Sequence, residues 1–172
     1  MRRVAVLLVT AGVLTAAFVA PRHPVAESRN ESGPGVEAAQ PTGPITTAAA
    51  PGPEVLVYKS PTCGCCKKWN EYLTSNGYTV KSKDMDDVSP IKAELGVPRK
   101  LISCHTAVVQ GYVIEGHVPA ADIARLLKEK PKILGLAAPG MPGASPGMDA
   151  GTDPYEVLTF DAKGATTVWA RH

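Results

Sequence analysis

A cluster of three cysteines within four residues, Cys63-Gly64-Cys65-Cys66, constrains this chain more than any other feature. It follows residues 55–58, a short apolar run typical of a buried strand, and precedes residues 67–75, whose large apolar side chains have helical spacing. Thiols at the start of a helix face unpaired backbone N–H groups and the positive end of the helix dipole, and both favour the thiolate form. Because the thiolate attacks disulfides and binds metals, this position predicts a chemically active cluster.

The middle cysteine of the cluster decides between two interpretations. Cys63 and Cys66 alone have the Cys-x-x-Cys spacing of thiol–disulfide oxidoreductases. With Cys65 between them, the three thiols cannot all be paired in one intrachain disulfide. Closely spaced thiolates can instead bridge several soft ions, and thiolates select Cu(I) over hard cations. The chain has 4 cysteines, so it lacks the two separated Cys-x-x-Cys pairs common in structural zinc sites. The cluster favours copper, with zinc or two disulfides as alternatives.

The order of predicted elements indicates an α/β fold, a thioredoxin-like domain with a central mixed sheet. Strands and helices follow one another as strand, helix, strand, helix, strand, strand, helix, at residues 55–58, 67–75, 78–83, 89–95, 106–109, 112–115 and 119–130. Beyond this core, a loop rich in Met, Pro and Gly is predicted over residues 137–151. A final hairpin is predicted from residues 156–160 and 166–170.

The fourth cysteine is predicted to face the cluster. Cys104 and His105 immediately precede the third predicted strand, and in a thioredoxin-type fold the loop before that strand lies beside the start of the cysteine helix. This loop normally carries a cis-proline, but the nearest proline is Pro98, well upstream. A soft thiol and an imidazole would therefore face the cluster instead. The alternatives are a disulfide between Cys104 and a cluster thiol, or a buried, inert Cys104.

Three further side chains are candidate metal ligands. His117 follows the predicted hairpin and is either a ligand, a group supporting one, or a capping or surface residue. Met141 and Met148 lie in the Pro/Gly loop, which has almost no other large side chain. Two thioethers on such a scaffold suit a lid over Cu(I), and the alternative is that they fill gaps as apolar residues.

The N-terminal residues have the composition of an export signal. Arg2 and Arg3 precede a mostly apolar run over residues 4–20, and Thr15-Ala16-Ala17 supplies small residues that signal peptidases accept. Residues 21–53 are about half Pro, Ala and Gly and predict a disordered linker. The predicted organisation is a signal peptide or N-terminal anchor at residues 1–20, a linker at 21–53 and the thioredoxin-like copper-binding domain at 54–172.

Segments spread along the domain together resemble the CopG-type family of bacterial copper-resistance proteins: VYKSPTCGCCKKW, LGVP, SCHTAVVQGYVIEGHVPAADI, GLAAPGMPGASPGM and PYEVLTFD. The resemblance extends from residue 55 to residue 172. It implies a periplasmic, thioredoxin-like protein that holds a multinuclear copper–thiolate cluster and accompanies copper efflux and resistance systems. The family's Cys-x-Cys-Cys, Cys-His and Met-loop motifs fall on Cys63, Cys65, Cys66, Cys104, His105, Met141 and Met148.

We therefore expect an extracytoplasmic protein that holds Cu(I), in a multinuclear site, for copper resistance or homeostasis. The candidate metal ligands are Cys63, Cys65, Cys66, Cys104, His105, His117, Met141 and Met148. The alternative is a thiol–disulfide or copper oxidoreductase in which Cys63 is the nucleophile and Cys66 the resolving thiol, and a third hypothesis is an adaptor stabilised by zinc or disulfides, without turnover.

The expected partners follow from the same features. They are copper ions and copper efflux or chaperone proteins. The formal net charge of +2 does not point to nucleic acid. Membrane contact is expected only through an uncleaved N-terminal segment, and the expected location is the periplasm.

Overall fold

The computed structural model describes residues 51–172, so the predicted signal peptide and most of the predicted linker lie outside the described residues. The strands are β1 (Glu54–Lys59), β2 (Thr79–Asp84), β3 (Thr106–Val109), β4 (Tyr112–Glu115), β5 (Gly135–Ala137), β6 (Glu156–Phe160) and β7 (Thr166–Arg171). The helices are α1 (Gly64–Ser75), α2 (Ser89–Glu94) and α3 (Ala120–Glu129), and a short 3-10 helix covers Arg99–Leu101. Between residues 51 and 172, no helix has the length and apolar character needed to cross a bilayer.

The strands form one mixed sheet in the order β2-β1-β3-β4-β5-β6-β7. β1 is parallel to β2 and antiparallel to β3, which forms a hairpin with β4. β4 is parallel to β5, and the remaining neighbours are antiparallel. Helices α1 and α3 make the crossovers that the parallel pairs β1–β2 and β4–β5 require. The predicted α/β class, with a central mixed sheet and a C-terminal hairpin, is confirmed.

Two elements differ from the sequence prediction. The spacing predicts a helix from residue 67, but α1 begins at Gly64, because the Cys63 sulfur accepts a hydrogen bond from the Cys66 backbone N–H at 3.4 Å and caps the helix. β5 falls where the sequence predicts no strand. Its residues lack the β-branched and aromatic side chains that indicate strands, and pairing with β4 and β6 on either side orders it.

The core holds α1 and the hairpin together close to the cysteine cluster. Trp69 and Leu73 of α1 are fully buried against apolar residues of the sheet and of α3. The Trp69 indole N–H donates to the Val118 carbonyl at 3.0 Å, which ties α1 to the segment after β4. The start of α1 is therefore fixed relative to the residues that follow the β3–β4 hairpin.

A buried ion pair fixes the segment that leads into β3. The Lys92 ammonium of α2 lies 2.6 Å from the Glu115 carboxylate of β4, and the two side chains are only 4% and 0% exposed. Lys92 also donates to the Thr106 hydroxyl at 2.8 Å, and the Ser103 backbone N–H donates to Glu115 at 2.6 Å. Burial raises the pKa of Glu115, while Lys92 opposes this rise. Each charge thus depends on the other for its stability inside the protein.

Lys92→Met is expected to lower the free energy of unfolding by about 3–5 kcal/mol, because it leaves the Glu115 carboxylate buried without its cation. The matched control is Lys81→Met, which breaks a 2.6 Å ion pair with Glu54 whose side chains are 61% and 55% exposed. That change should cost less than about 1 kcal/mol. Urea denaturation of both variants measures the difference, and equal losses would contradict the role given to the buried pair.

Candidate metal centre

The pairing of β1 with β3 brings the cysteine cluster and Cys104 to the same edge of the sheet. The two strands are antiparallel, and Tyr58 near the end of β1 lies opposite Thr106 at the start of β3. The chain leaves β1 through a short turn into α1, and residues 103–105 enter β3 at the same end. The two segments that carry all the cysteines are therefore neighbours.

The four cysteine sulfurs lie within 4.8 Å of one another. Cys63 and Cys66 are joined by a disulfide, whereas Cys65 and Cys104 carry free thiols. The Cys65 sulfur is 3.5 Å from that of Cys63. Cys66 is buried, and the other three are partly exposed. The structure thus brings Cys104 to the cluster, as the sequence predicts, and in this state Cys104 is not part of a disulfide.

Two buried histidines contact the Cys104 sulfur. It lies 3.0 Å from Nε2 of His117 and 3.3 Å from Nδ1 of His105. Both imidazoles are 0% exposed. One donor atom from each of these three residues lies within 4.8 Å of the others, so they form a second possible metal-binding group, which shares Cys104 with the first. The structure therefore places both predicted histidines at the site, and His117 is neither a surface residue nor a cap.

A backbone carbonyl orients His117. Nδ1 of His117 donates to the Pro146 carbonyl oxygen at 2.7 Å. Because a carbonyl can only accept, Nδ1 carries the hydrogen and Nε2 presents its lone pair to Cys104. Metal-binding histidines are commonly oriented in this way through their second nitrogen. The ring is therefore held in the tautomer that can bind an ion.

Burial determines the protonation of these groups. It lowers the pKa of His117, with the hydrogen bond to Pro146 opposing the shift, and it holds the pKa of His105 well below its usual value, helped by the nearby His117 and Lys92. Burial, aided by the neighbouring Cys65, also raises the pKa of the Cys104 thiol to about 12. Both imidazoles are thus neutral, the form that binds metals, whereas Cys104 is a neutral thiol until a cation favours its thiolate.

The two methionines of the loop after β5 occupy different environments. Met141 is 59% exposed and lines a cleft of about 290 Å³ together with Ile102, Ser103, Cys104 and Gly140. Met148 is half-buried in a turn directly after Gly147. Met141 is thus beside Cys104, and Met148 follows the residue by which the loop contacts α1.

Backbone contacts seat this loop on the first turn of α1. Gly147 has a φ of +82°, and a Cβ there would lie 2.7 Å from the Trp69 nitrogen and 3.1 Å from the Cys65 carbonyl oxygen. At its other end, Gly140 donates to the Ile102 carbonyl at 3.2 Å and accepts from the Ser103 hydroxyl. The loop therefore covers the start of the cysteine helix and carries the Pro146 carbonyl that holds His117.

Three groups that support the site were not among the residues predicted from the sequence. The Pro146 carbonyl has no sequence signal, because any residue supplies one. Trp69 has helical core spacing, yet its ring also lies 4.4 Å, centroid to centroid, from that of His105. Glu115 had a visible signal, a carboxylate ending an apolar strand, and it is buried in the network that holds Ser103.

Gly147→Ala is expected to destabilise the protein by about 1–3 kcal/mol, because the added methyl group meets α1 backbone atoms that cannot move independently. The matched control is Gly140→Ala in the same loop, where φ is +69° but no atom lies within 4 Å of an added Cβ. Both variants incur the backbone strain, so the difference in urea denaturation isolates the loop's contact with α1. A larger loss for Gly140→Ala would contradict this account.

The chain is similar to one protein family and to two solved structures of one protein. A protein family described as "Protein of unknown function, DUF411" matches residues 101–148. A solved structure named copper resistance protein copG, Form 2, is 42% identical, with 70% of this chain and 98% of that chain covered and a TM-score of 0.67. Form 1 of the same protein is 42% identical, with coverage of 72% and 98% and a TM-score of 0.66. No curated protein sequence matches the chain.

Proposed function

Because the chain belongs to the CopG family of copper resistance proteins, we propose that it is an extracytoplasmic protein that holds Cu(I) in a multi-thiolate site. The observation that carries this proposal is the approach of four cysteine sulfurs to within 4.8 Å of one another. Thiolates this close can share ions, and sulfur donors favour Cu(I) over hard cations. The proposed ligands are Cys63, Cys65, Cys66, Cys104, His105, His117, Met141 and Met148.

The state of the cysteines sets a condition for loading. Cys63 and Cys66 are joined in a disulfide, and a disulfide sulfur has no thiolate to offer a metal. Reduction by an external dithiol transfers two electrons and two protons to this bond and leaves two cysteine thiols, while the donor becomes a disulfide. Each thiol then loses its proton as it binds copper. The multi-thiolate site is thus a property of the reduced chain.

The partial exposure of the site suits exchange of copper with another protein. Cys63, Cys65 and Cys104 are each partly exposed, and Met141 is exposed beside Cys104. An incoming sulfur ligand can therefore reach an ion bound at this edge before the last protein sulfur leaves it. The predicted export signal supports a periplasmic location, where a copper efflux or chaperone protein is the expected partner.

Cys65→Ser is expected to lower the number of Cu(I) ions bound per reduced chain, because it removes the sulfur between Cys63 and Cys66. The matched control is Thr62→Ser, an exposed residue beside the cluster that carries no sulfur. Anaerobic titration with Cu(I), followed by measurement of copper per chain, should give more than one ion for the wild type and for Thr62→Ser, and fewer for Cys65→Ser. Circular dichroism checks that each variant is folded.

An unchanged copper number in Cys65→Ser would count against a cluster. One tightly held Zn(II) with weak Cu(I) binding in the wild type would instead support the adaptor hypothesis.

The Cys63–Cys66 disulfide at the start of α1 favours a second candidate, a thiol–disulfide oxidoreductase. Reduced Cys63 would attack a substrate disulfide and form a mixed disulfide, and Cys66 would resolve it, so that the two electrons pass from the protein to the substrate. Disulfide reductase turnover should then disappear in Cys63→Ser, persist in Cys104→Ser and be unaffected by metal removal. Absence of turnover in the wild type would exclude this candidate.

A further inference from the structure

We infer that Cys104, His105 and His117 by themselves form a copper site that stays competent while Cys63 and Cys66 are disulfide-bonded. This inference rests on the proposed function, since it takes copper as the ion that the chain handles. Oxidation of Cys63 and Cys66 abolishes the multi-thiolate site but leaves one copper position in place.

The two possible donor groups overlap at only one residue. Among the described residues, the first group contains the four cysteines, and the second contains Cys104, His105 and His117. The disulfide removes Cys63 and Cys66 from the first group, but it takes no donor from the second, because Cys104 remains a free thiol. The oxidised chain therefore keeps a complete set of one sulfur and two nitrogens.

The three donor atoms of this set lie within 4.8 Å of one another. Metal–ligand bonds of about 2.0–2.3 Å, arranged trigonally, need donors about 3.5–3.9 Å apart. The Cys104 sulfur is 3.0 Å from Nε2 of His117 and 3.3 Å from Nδ1 of His105. The two rings are 5.0 Å apart, centroid to centroid, and meet edge to face. Both of these sulfur–nitrogen distances are shorter than the spacing around a bound ion, so the Cys104 sulfur must move outward for an ion to bind among the three donors.

The supports of this set do not involve the disulfide. His117 is oriented by the Pro146 carbonyl at 2.7 Å. The carbonyl of His105 accepts from the Gly116 backbone N–H at 3.0 Å, which ties the two histidine segments together. Before Cys104, the Ser103 backbone N–H is held by the buried Glu115. Neither Cys63 nor Cys66 makes any of these contacts, so the disulfide itself does not hold the three donors in place.

The donor chemistry fits copper. A trigonal set of two histidines and one cysteine is the arrangement that binds copper in both of its oxidation states in electron-transfer sites. A structural zinc ion would call for a fourth protein ligand. The exposed Met141 beside Cys104 supplies a thioether of the kind that such copper sites use as a weak additional ligand. The cleft that these two residues line gives the ion a path from solvent.

The test uses a full-length variant in which the three cluster cysteines are replaced and Cys104, His105 and His117 are kept. In the variant Cys63→Ser/Cys65→Ser/Cys66→Ser, Cys104 is the only cysteine left. Anaerobic titration with Cu(I) against a chelator should give one ion per chain, and X-ray absorption should show one sulfur and nitrogen neighbours. Adding His117→Gln should weaken binding at least tenfold. Adding His172→Gln, a histidine paired with Asp122 instead of Cys104, should leave the affinity unchanged.

The outcomes separate this inference from the proposed function. If the reduced wild type binds more than one Cu(I) and the triple variant binds none, the multi-thiolate site stands and the three-residue site is overturned. Equal affinity with and without His117→Gln also overturns it, because Cys104 alone would then hold the ion. If the triple variant does not fold by circular dichroism, the air-oxidised Cys65→Ser chain, with its disulfide intact, takes its place with the same two additions and the same expected results.

Discussion

The antiparallel pairing of β1 with β3 is the constraint on which the site depends. It sets the end of one strand opposite the beginning of the other, so the cysteines after β1 and those before β3 meet although about forty residues separate them in the chain. The short connection from β1 to α1 then leaves no freedom for the cluster to lie elsewhere. The chemistry of the sulfurs is therefore a direct consequence of strand order.

The segment before β3 is held by polar contacts inside the protein. Residues 51–172 contain no cis peptide bond, and the Glu115 carboxylate instead holds the Ser103 backbone N–H while Lys92 compensates its charge. A buried ion pair contributes little net stability compared with well-packed apolar groups, so its value here lies in position. It fixes Ser103, the residue before Cys104. A flexible loop at this point would let the Cys104 sulfur move away from the cluster.

Much of the fold and part of the site could be predicted from the sequence, because both depend on local patterns. Strand and helix periodicity predicted the order of elements, and the helical spacing of Trp69, Tyr72 and Leu73 predicted the start of α1 to within a few residues. That Cys104 lies beside the cluster followed only from the fold. β5 was not predictable, because pairing with β4 and β6 orders it and its own residues do not favour a strand. The Pro146 carbonyl was not predictable either, because every residue has a carbonyl.

The contact between Trp69 and His105 gives the molecule an optical reporter of its own state. The chain has 2 tryptophans, and they occupy unlike surroundings. Trp69 is fully buried one helical turn beyond Cys66 and against the His105 ring, whereas Trp169 lies under the Arg125 guanidinium, 3.9 Å from its ring centre. Indole emission responds to nearby sulfur and imidazole groups, so a change at the cysteines alters the fluorescence of one tryptophan and leaves the other as an internal reference.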